Sequence, residues 1–230
     1  MIKNKQFDVR LARSKEEIEA AQSLRYEVFI QEFGAKTSSS NHDKLRDEDK
    51  FDRNCDHLLL IDQNLDSSGM NYTVVGTVRL IEAHIAMQNE GFYTAEEFNL
   101  SKILQMKKKC LEIGRACIKK KYRGSVALHL LWSGLAEYVV SRNITIMFGV
   151  ASFHGTDVSK FSSALSYLNY NFSVPSDLEF TVNPRSSCEM DIIPREKLSI
   201  KNAMFEMPSL IRAYLRLGAK VGHGAFIDSI

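Results

Sequence analysis

Apolar and polar residues alternate through "FDVRLA", residues 7–12, with Phe7, Val9 and Leu11 on one side, and the pattern predicts a first strand. Ser14 and Glu17 follow with capping-box spacing, and Ile18, Ala21, Leu24 and Val28 recur at helical intervals, so the strand passes into a helix. A polar stretch from Lys36 to Asn54, with "TSSSN" inside it, predicts a loop. Two aliphatic and β-branched runs come next, "HLLLID" and "YTVVGTVRL". The turn formers between Asn64 and Asn71, Gly69 among them, predict that these runs pair as a hairpin. Thr94 and Glu97 offer a second capping box, for a short helix carrying Phe98, Leu100, Ile103 and Leu104.

A helix is expected from Gly124 and Ser125 to about Asn143, with Leu128, Leu131, Leu135 and Val139 on one stripe, and "ITIMFGVAS" then reads as a buried strand. Ser159 to Tyr170 predicts a further helix. Pro208 in a first turn and Gly218 just past the end bracket a last one, "SLIRAYLRL".

The stretch "CLEIGRACIKKKYRGS" breaks the strand rule in an informative way. Glu112 and Arg115, three apart, belong on opposite faces of a regular strand. The hydrophobic phase, however, switches: Leu111 and Ile113 are odd, Ala116 and Ile118 even, and Gly114 stands between them. One inserted residue, a β-bulge at Gly114, accounts for the switch and turns Glu112 and Arg115 to one face. It also bends the strand from its neighbour and leaves backbone groups for a ligand. A plain ion pair between the two residues at a strand edge is the competing reading.

Composition narrows the function classes. At 230 residues and 44% hydrophobic content the chain fits one domain with a real core. No run of ~18 apolar residues occurs, and the N-terminal segment is charged without a signal-peptide core, so a cytoplasmic protein is expected. Cys55, Cys110, Cys117 and Cys188 form no CxxC pair and the six histidines lack ligand spacing, so neither a metal site nor a disulfide framework is expected. A net charge of +2 gives little reason for nucleic-acid binding. Two basic clusters, Lys107 to Lys109 and Lys119 to Lys121 with Arg123, flank the "EIGR" strand, as a solvated edge or a docking patch for an acidic partner. Ser152, His154 and Asp157 crowd together, but triad members usually come from separate segments and no GxSxG accompanies them.

Five fragments stand in order between Arg25 and Asp157: "LRYEVFIQEFGA" with Arg25, Phe29 and Glu32, "DKFD" with Asp49 and Asp52, "VVGTVRL" with Arg79, "EIGR", and "FGVASFHGTD". Together they resemble the branch of the GNAT acyltransferase superfamily that holds ornithine-lipid N-acyltransferases and acyl-homoserine-lactone synthases. "YRGSVALHLLWSGLAEYV" and "MPSLIRAYLRLGAKVGHGAFID" resemble the ornithine side. Homoserine-lactone synthases usually carry a tryptophan where this chain has Ala35 after Gly34, and the single tryptophan here is Trp132.

The resemblance implies an α/β fold, a GNAT-like mixed but mostly antiparallel sheet with a bulged, splayed strand and flanking helices. It implies one domain over 1–230, lacking the last strand that the family carries beyond "GAFID". The implied reaction moves a 3-hydroxyacyl chain from acyl carrier protein to the α-amino group of L-ornithine, forming a lyso-ornithine lipid. A homoserine-lactone synthase using S-adenosylmethionine and a non-catalytic acyl-carrier-binding module are the alternatives. Glu112 and Arg115 are the expected catalytic pair, Glu112 accepting the amine proton. Arg25, Arg79 and Arg115 are expected to bind the amino-acid carboxylate or order the loop, Asp49 and Asp52 to meet the side-chain ammonium or pair with Arg46 and Arg53, and Phe29 to wall the acyl channel or pack in the core. The turn "KKYRGSVA" has one glycine, fewer backbone donors than a CoA pyrophosphate asks for, so Lys121, Arg123, Gly124 and Ser125 are expected to take the single phosphate of a carrier's phosphopantetheine. No permanently bound cofactor is implied. The partners implied are acyl carrier protein and a small amino acid, with no nucleic acid. Arg212 and Arg216 on one face of the last helix suggest peripheral contact with the inner face of the cytoplasmic membrane, or ordinary amphipathic packing.

Overall fold

A computed structural model describes residues 2–3, 6–64, 73–124, 126–178 and 180–228. Its strands are β1 Ile2–Lys3, β2 Phe7–Leu11, β3 Asp56–Asp62, β4 Thr73–Glu82, β5 Phe98–Asn99, β6 Cys110–Ile118, β7 Ile146–Phe148, β8 Thr181–Val182, β9 Ser187–Cys188 and β10 Ala225–Phe226. The chain divides into two compact units, Met1–Phe92 with Lys108–Gly149, and Tyr93–Lys107 with Val150–Ile230.

The first unit is built on a six-stranded sheet in the order β1-β2-β3-β4-β6-β7, antiparallel except for β6 with β7. Period-two alternation sends successive residues of β3 to opposite faces. Leu58 and Leu60 join Val9, Val78, Leu80 and Leu111 beneath the helix Ala127–Ser141, which contributes Leu131 and Leu135. Leu59 and Ile61 join Val74 and Cys117 beneath the helix Lys15–Arg25, which contributes Ala21 and Leu24. Both faces of the sheet are thus covered, as apolar runs in β3 and β4 require. The expected hairpin strands are β3 and β4; their connection, with Gly69, lies outside the described residues.

Several local expectations are refined. Ser14 caps the first helix by accepting from Glu17 N at 3.4 Å, but at Tyr26 the winding widens into a π-helix, Tyr26–Glu32. Inside the expected loop Lys36 to Asn54 sits a short helix, Ser39–Lys44. Thr94 lies within the turn Thr94–Glu97 rather than capping it, and β5 separates that turn from Ser101–Gln105. The buried stripe of Ala127–Ser141 runs through Ala127, Leu131, Gly134, Leu135 and Tyr138, one position away from Leu128 and Val139.

In the second unit β5 pairs with β8 and β9 with β10, and the helices Ser162–Phe172, Ile200–Glu206 and Ser209–Arg216 enclose Ala164, Leu165, Leu168, Met207 and Ile211. Gly218 follows the last helix at φ 88°, as its position predicts. Arg212 is turned inward: its Nη1 donates to the carbonyls of Met204 (2.6 Å) and Met207 (2.9 Å), satisfying the end of the preceding helix. Asp157 accepts from Ser159 N (3.2 Å) and Ser159 Oγ (2.6 Å), so it caps the turn Val158–Phe161. Among the described residues no helix is long and apolar enough to cross a membrane.

Gly134 faces β2, and a Cβ there would fall inside the Val9 side chain. Gly134→Ala is expected to destabilise the protein by about 1–3 kcal/mol through overpacking, read as a lower urea midpoint at unchanged slope.

Candidate active site

The site begins where β6 stops being a regular strand. Thr77 pairs with Cys117 and Arg79 with Gly114, so Val78 alone stands opposite Arg115 and Ala116. The bulge therefore lies one residue beyond the glycine expected to hold it: Arg115, at φ 51°, is the left-handed residue, and Gly114 keeps its place in the ladder. A side chain in that conformation costs of order 1–3 kcal/mol and persists only where its surroundings hold it. The inferred phase switch is present, because Leu111, Ile113, Ala116 and Ile118 all pack toward the cluster beneath Ala127–Ser141. Glu112 consequently falls on the opposite face, 5% exposed.

The β6–β7 ladder is short. It runs from Cys110↔Ile146 to Glu112↔Phe148, while β6 continues to Ile118. Just past the last rung a Cβ on Gly149 would strike the carbonyl oxygen of Ile113, so only glycine permits this approach where the ladder ends. The ladder with β7 thus ends at Glu112, while β6 runs on to Ile118.

On Glu112's side of the sheet lies a buried network of three arginines and three aspartates, balanced in formal charge. Arg25, 0% exposed, donates through Nη1 and Nη2 to the two carboxylate oxygens of Asp52 at 2.8 and 2.9 Å. Its Nε donates to Asp47 Oδ2 at 2.8 Å, and Nη2 also reaches the Asp47 carbonyl. Arg79 Nη1 spans Asp49 Oδ1 (2.6 Å) and Asp52 Oδ1 (3.0 Å). Arg115 Nη2 donates to Asp49 Oδ2 at 3.1 Å and its Nε lies 3.4 Å from Asp47 Oδ2. Gln22 Nε2 and the Asp49 amide complete the coordination of Asp52 at 3.1 and 3.2 Å.

Burial opposes charge on Arg25, Arg79, Asp49 and Asp52, yet the net result favours it. Desolvation works to raise the Asp52 pKa, but the hydrogen bonds and charges of Arg25 and Arg79 outweigh it and hold the carboxyl well below the usual range. Asp49 is lowered in the same way, chiefly by Arg79 against its own desolvation. Arg25 and Arg79 are desolvated too, and their aspartate partners raise both above the ordinary arginine value. Cys55, nearby, is pushed up to about 12 by burial and is a thiol at neutral pH. His57, opposite Arg79 in the ladder, is lowered by desolvation. Its Nε2 contacts the Asp52 carbonyl at 3.2 Å, and its buried Nδ1 has no partner.

These contacts sort the expected residues. Arg25, Arg79, Arg115, Asp49 and Asp52 do come together, but through one another. Arg25 is sealed from solvent and orders the loop, rather than offering a fork to a carboxylate. Asp52 is saturated by arginines from other elements, whereas Arg46 and Arg53 pair with Glu19 and Glu90. Phe29, half-buried, packs against the Ala21 and Leu24 cluster. Asp47, Gln22 and His57 belong to the same network and were not singled out in the sequence, where "KLRDEDKFDRN" offers several interchangeable acids.

The basic turn after β6 differs from expectation as well. Arg123 donates through Nη1 and Nη2 to the two oxygens of Glu32 at 2.7 Å each, and through Nε to the Ile118 carbonyl at 2.8 Å. It is committed within the protein, not held out for a phosphate. Lys121 is exposed beside the Tyr122 ring, and Gly124, at φ 75°, has open space where a Cβ would be. Ser125 lies outside the described residues. The N-cap residue of the helix Ala127–Ser141 is Val126, whose side chain makes no capping hydrogen bond. The turn thus brings lysine charge, an unobstructed glycine and a helix start to the exit of the bulged strand.

Removing one partner from a buried pair strands the other, so Asp52→Asn is expected to cost about 3–5 kcal/mol in an equilibrium unfolding experiment. Because the Asp52 and Asp49 pKa values are depressed in the folded state, their contribution is complete above the unfolded carboxylate pKa of ~4 and fades as pH falls below it. Urea midpoints measured from pH 7 downward should therefore drop steeply below about pH 4, and less steeply in Asp52→Asn.

Residues 24–133 match the family model of the GNAT acetyltransferase domain. The L-ornithine N(alpha)-acyltransferase of Rhodobacter capsulatus is 39% identical over 222 residues, covering 96% of this chain and 85% of that protein. The enzyme of the same description from Brucella abortus is 40% identical over 224 residues, covering 96% of this chain and 79% of its own length. Among solved structures, FeeM, an N-acyl amino acid synthase from uncultured soil microbes, aligns with a TM-score of 0.45 at 15% identity over 70% of this chain and 78% of that one. Agreement at this level along nearly the whole sequence, on a bulged strand and basic turn of GNAT type, makes the chain a member of the L-ornithine N(alpha)-acyltransferase family.

Proposed function

We propose that this acyltransferase moves a 3-hydroxyacyl group from the phosphopantetheine of acyl carrier protein to the α-amino group of L-ornithine, releasing a lyso-ornithine lipid. The observation that carries the reading is the end of the β6–β7 ladder at Glu112, beside a bulge at Arg115. A pantetheine arm is an extended chain with amide groups, and the edge of a strand that has left its neighbour suits it. The thioester carbonyl then falls near Glu112. The lysines of the turn, with Gly124 and the start of Ala127–Ser141, suit the single phosphate at the other end of the arm, and the basic stretch suits an acidic carrier. No cofactor need remain bound.

The chemistry asks little more than placement. The thioester is already activated, and a free α-amine has a pKa of ~8 in model compounds, so the protein has to hold the neutral amine against the carbonyl. Nitrogen attacks the carbonyl carbon, Glu112 takes the ammonium proton directly or through water, and the C–S bond breaks as the tetrahedral intermediate collapses. The carrier thiol leaves with a proton. Arg115 and Asp49, the more accessible members of the network at 26% and 21% side-chain exposure, are the groups from which substrate carboxylate and ammonium would be met. Arg25, Asp52 and Arg79 act behind them. Exposed Phe205, Ile200 and Leu217 in the second unit support peripheral contact with a membrane that takes up the product.

Mass spectrometry of products formed from 3-hydroxyacyl carrier protein with either L-ornithine or S-adenosylmethionine tests the proposal. N-acylornithine is expected from the first mixture; acyl-homoserine lactone from the second would reassign the acceptor, and carrier binding without any product would leave a binding module. In the same assay Glu112→Gln is expected to lower kcat by ~10²–10⁴-fold in protein that circular dichroism shows still folded.

A further inference from the structure

Two glutamates of the π-helix Tyr26–Glu32 reach the basic turn: Glu27 pairs with Lys119 at 2.8 Å, and Glu32 makes the fork with Arg123. They are five residues apart. In an α-helix of 3.6 residues per turn such a pair points roughly 140° apart, and both could not face one turn. The segment instead winds with i→i+5 bonds, Phe33 N donating to Val28 O at 3.1 Å, and this winding returns residue 32 to the side of residue 27. The unusual helix is what aligns the two carboxylates.

Both ends of the arrangement are anchored. The π-helix starts directly after Arg25, which the buried network holds, and Arg123 reaches back through Nε to Ile118, the last residue of β6. The Arg123 guanidinium also lies over the Phe33 ring at 5.2 Å. Its fork, its Nε and its face are all engaged by the protein.

We propose that the Glu32–Arg123 fork, backed by Glu27–Lys119, is a clamp that fixes the basic turn for the acyl donor, and that Arg123 is a positioning residue rather than a phosphate ligand. The inference rests on the carrier-protein reading above. The clamp acts on geometry, since a partly exposed pair contributes little to global stability.

The test compares Glu32→Arg, Arg123→Glu and the combined reversal, by steady-state kinetics and by amide hydrogen exchange across residues 26–34. Each single reversal is expected to raise KM for the acyl carrier thioester about tenfold, to leave KM for L-ornithine nearly unchanged, and to speed exchange in the segment. The combined reversal should return both readings toward wild type. Exchange that is insensitive to the single reversals would overturn the clamp. Exchange that recovers in the combined variant while the donor KM does not would make Arg123 a direct ligand and overturn its positioning role. Should wild-type protein turn over no carrier-bound acyl group, the functional reading falls, and the exchange data alone still decide the clamp.

Discussion

The fork between Arg25 and Asp52 is the constraint on which the active-site side of the sheet depends. A guanidinium sealed from water has to find carboxylates in fixed positions, because an unpaired charge there would cost several kcal/mol. Asp47 and Asp52 meet that demand only if the segment 45–54 folds back over the first helix. Once they are placed, Asp49 between them is presented to Arg79 on β4 and Arg115 on β6. A loop without a core of its own thus acquires one definite conformation from charge pairing. The same pairing holds Arg115 at its left-handed backbone position, so the bulge and the loop stabilise one another.

This view alters the meaning of the charged residues in the chain. Substrate recognition and loop ordering draw on the same residue types, and a sequence does not say which arginine faces inward. Burial decides it here. Arg25 sits on the same helix face as Leu24 and Val28 and is enclosed, whereas Arg115 leaves the strand at its bulge and stays partly exposed. The order of exposure, from Arg25 through Arg79 to Arg115, divides the network into support behind and contact in front.

Much of the architecture was legible because it rests on local periodicity. The change of hydrophobic phase across "LEIGRACI" reported an inserted residue correctly, since each apolar side chain must return to the same core face. Its position was misjudged by one, because glycine is the usual left-handed residue and nothing local reveals that two aspartates more than sixty positions away hold an arginine there instead. The π-winding after Arg25 was equally hidden: the apolar spacing Ala21, Leu24, Val28 is that of an ordinary helix. What escaped the sequence at Arg115 was set by long-range ion pairs, for which the chain carries no periodic signature.

The second unit draws on two stretches of chain that flank the last part of the first, and this has a consequence for biosynthesis. β5 pairs with β8, about 80 residues further along. At a synthesis rate of ~5–20 residues per second that partner follows by roughly 4–16 s, during which β6, its helix and β7 emerge and can complete the six-stranded sheet. The segment Tyr93–Lys107 therefore leaves the ribosome as an unpaired excursion from a sheet that closes before it does. Its strand of only two residues suits a stretch that has to wait.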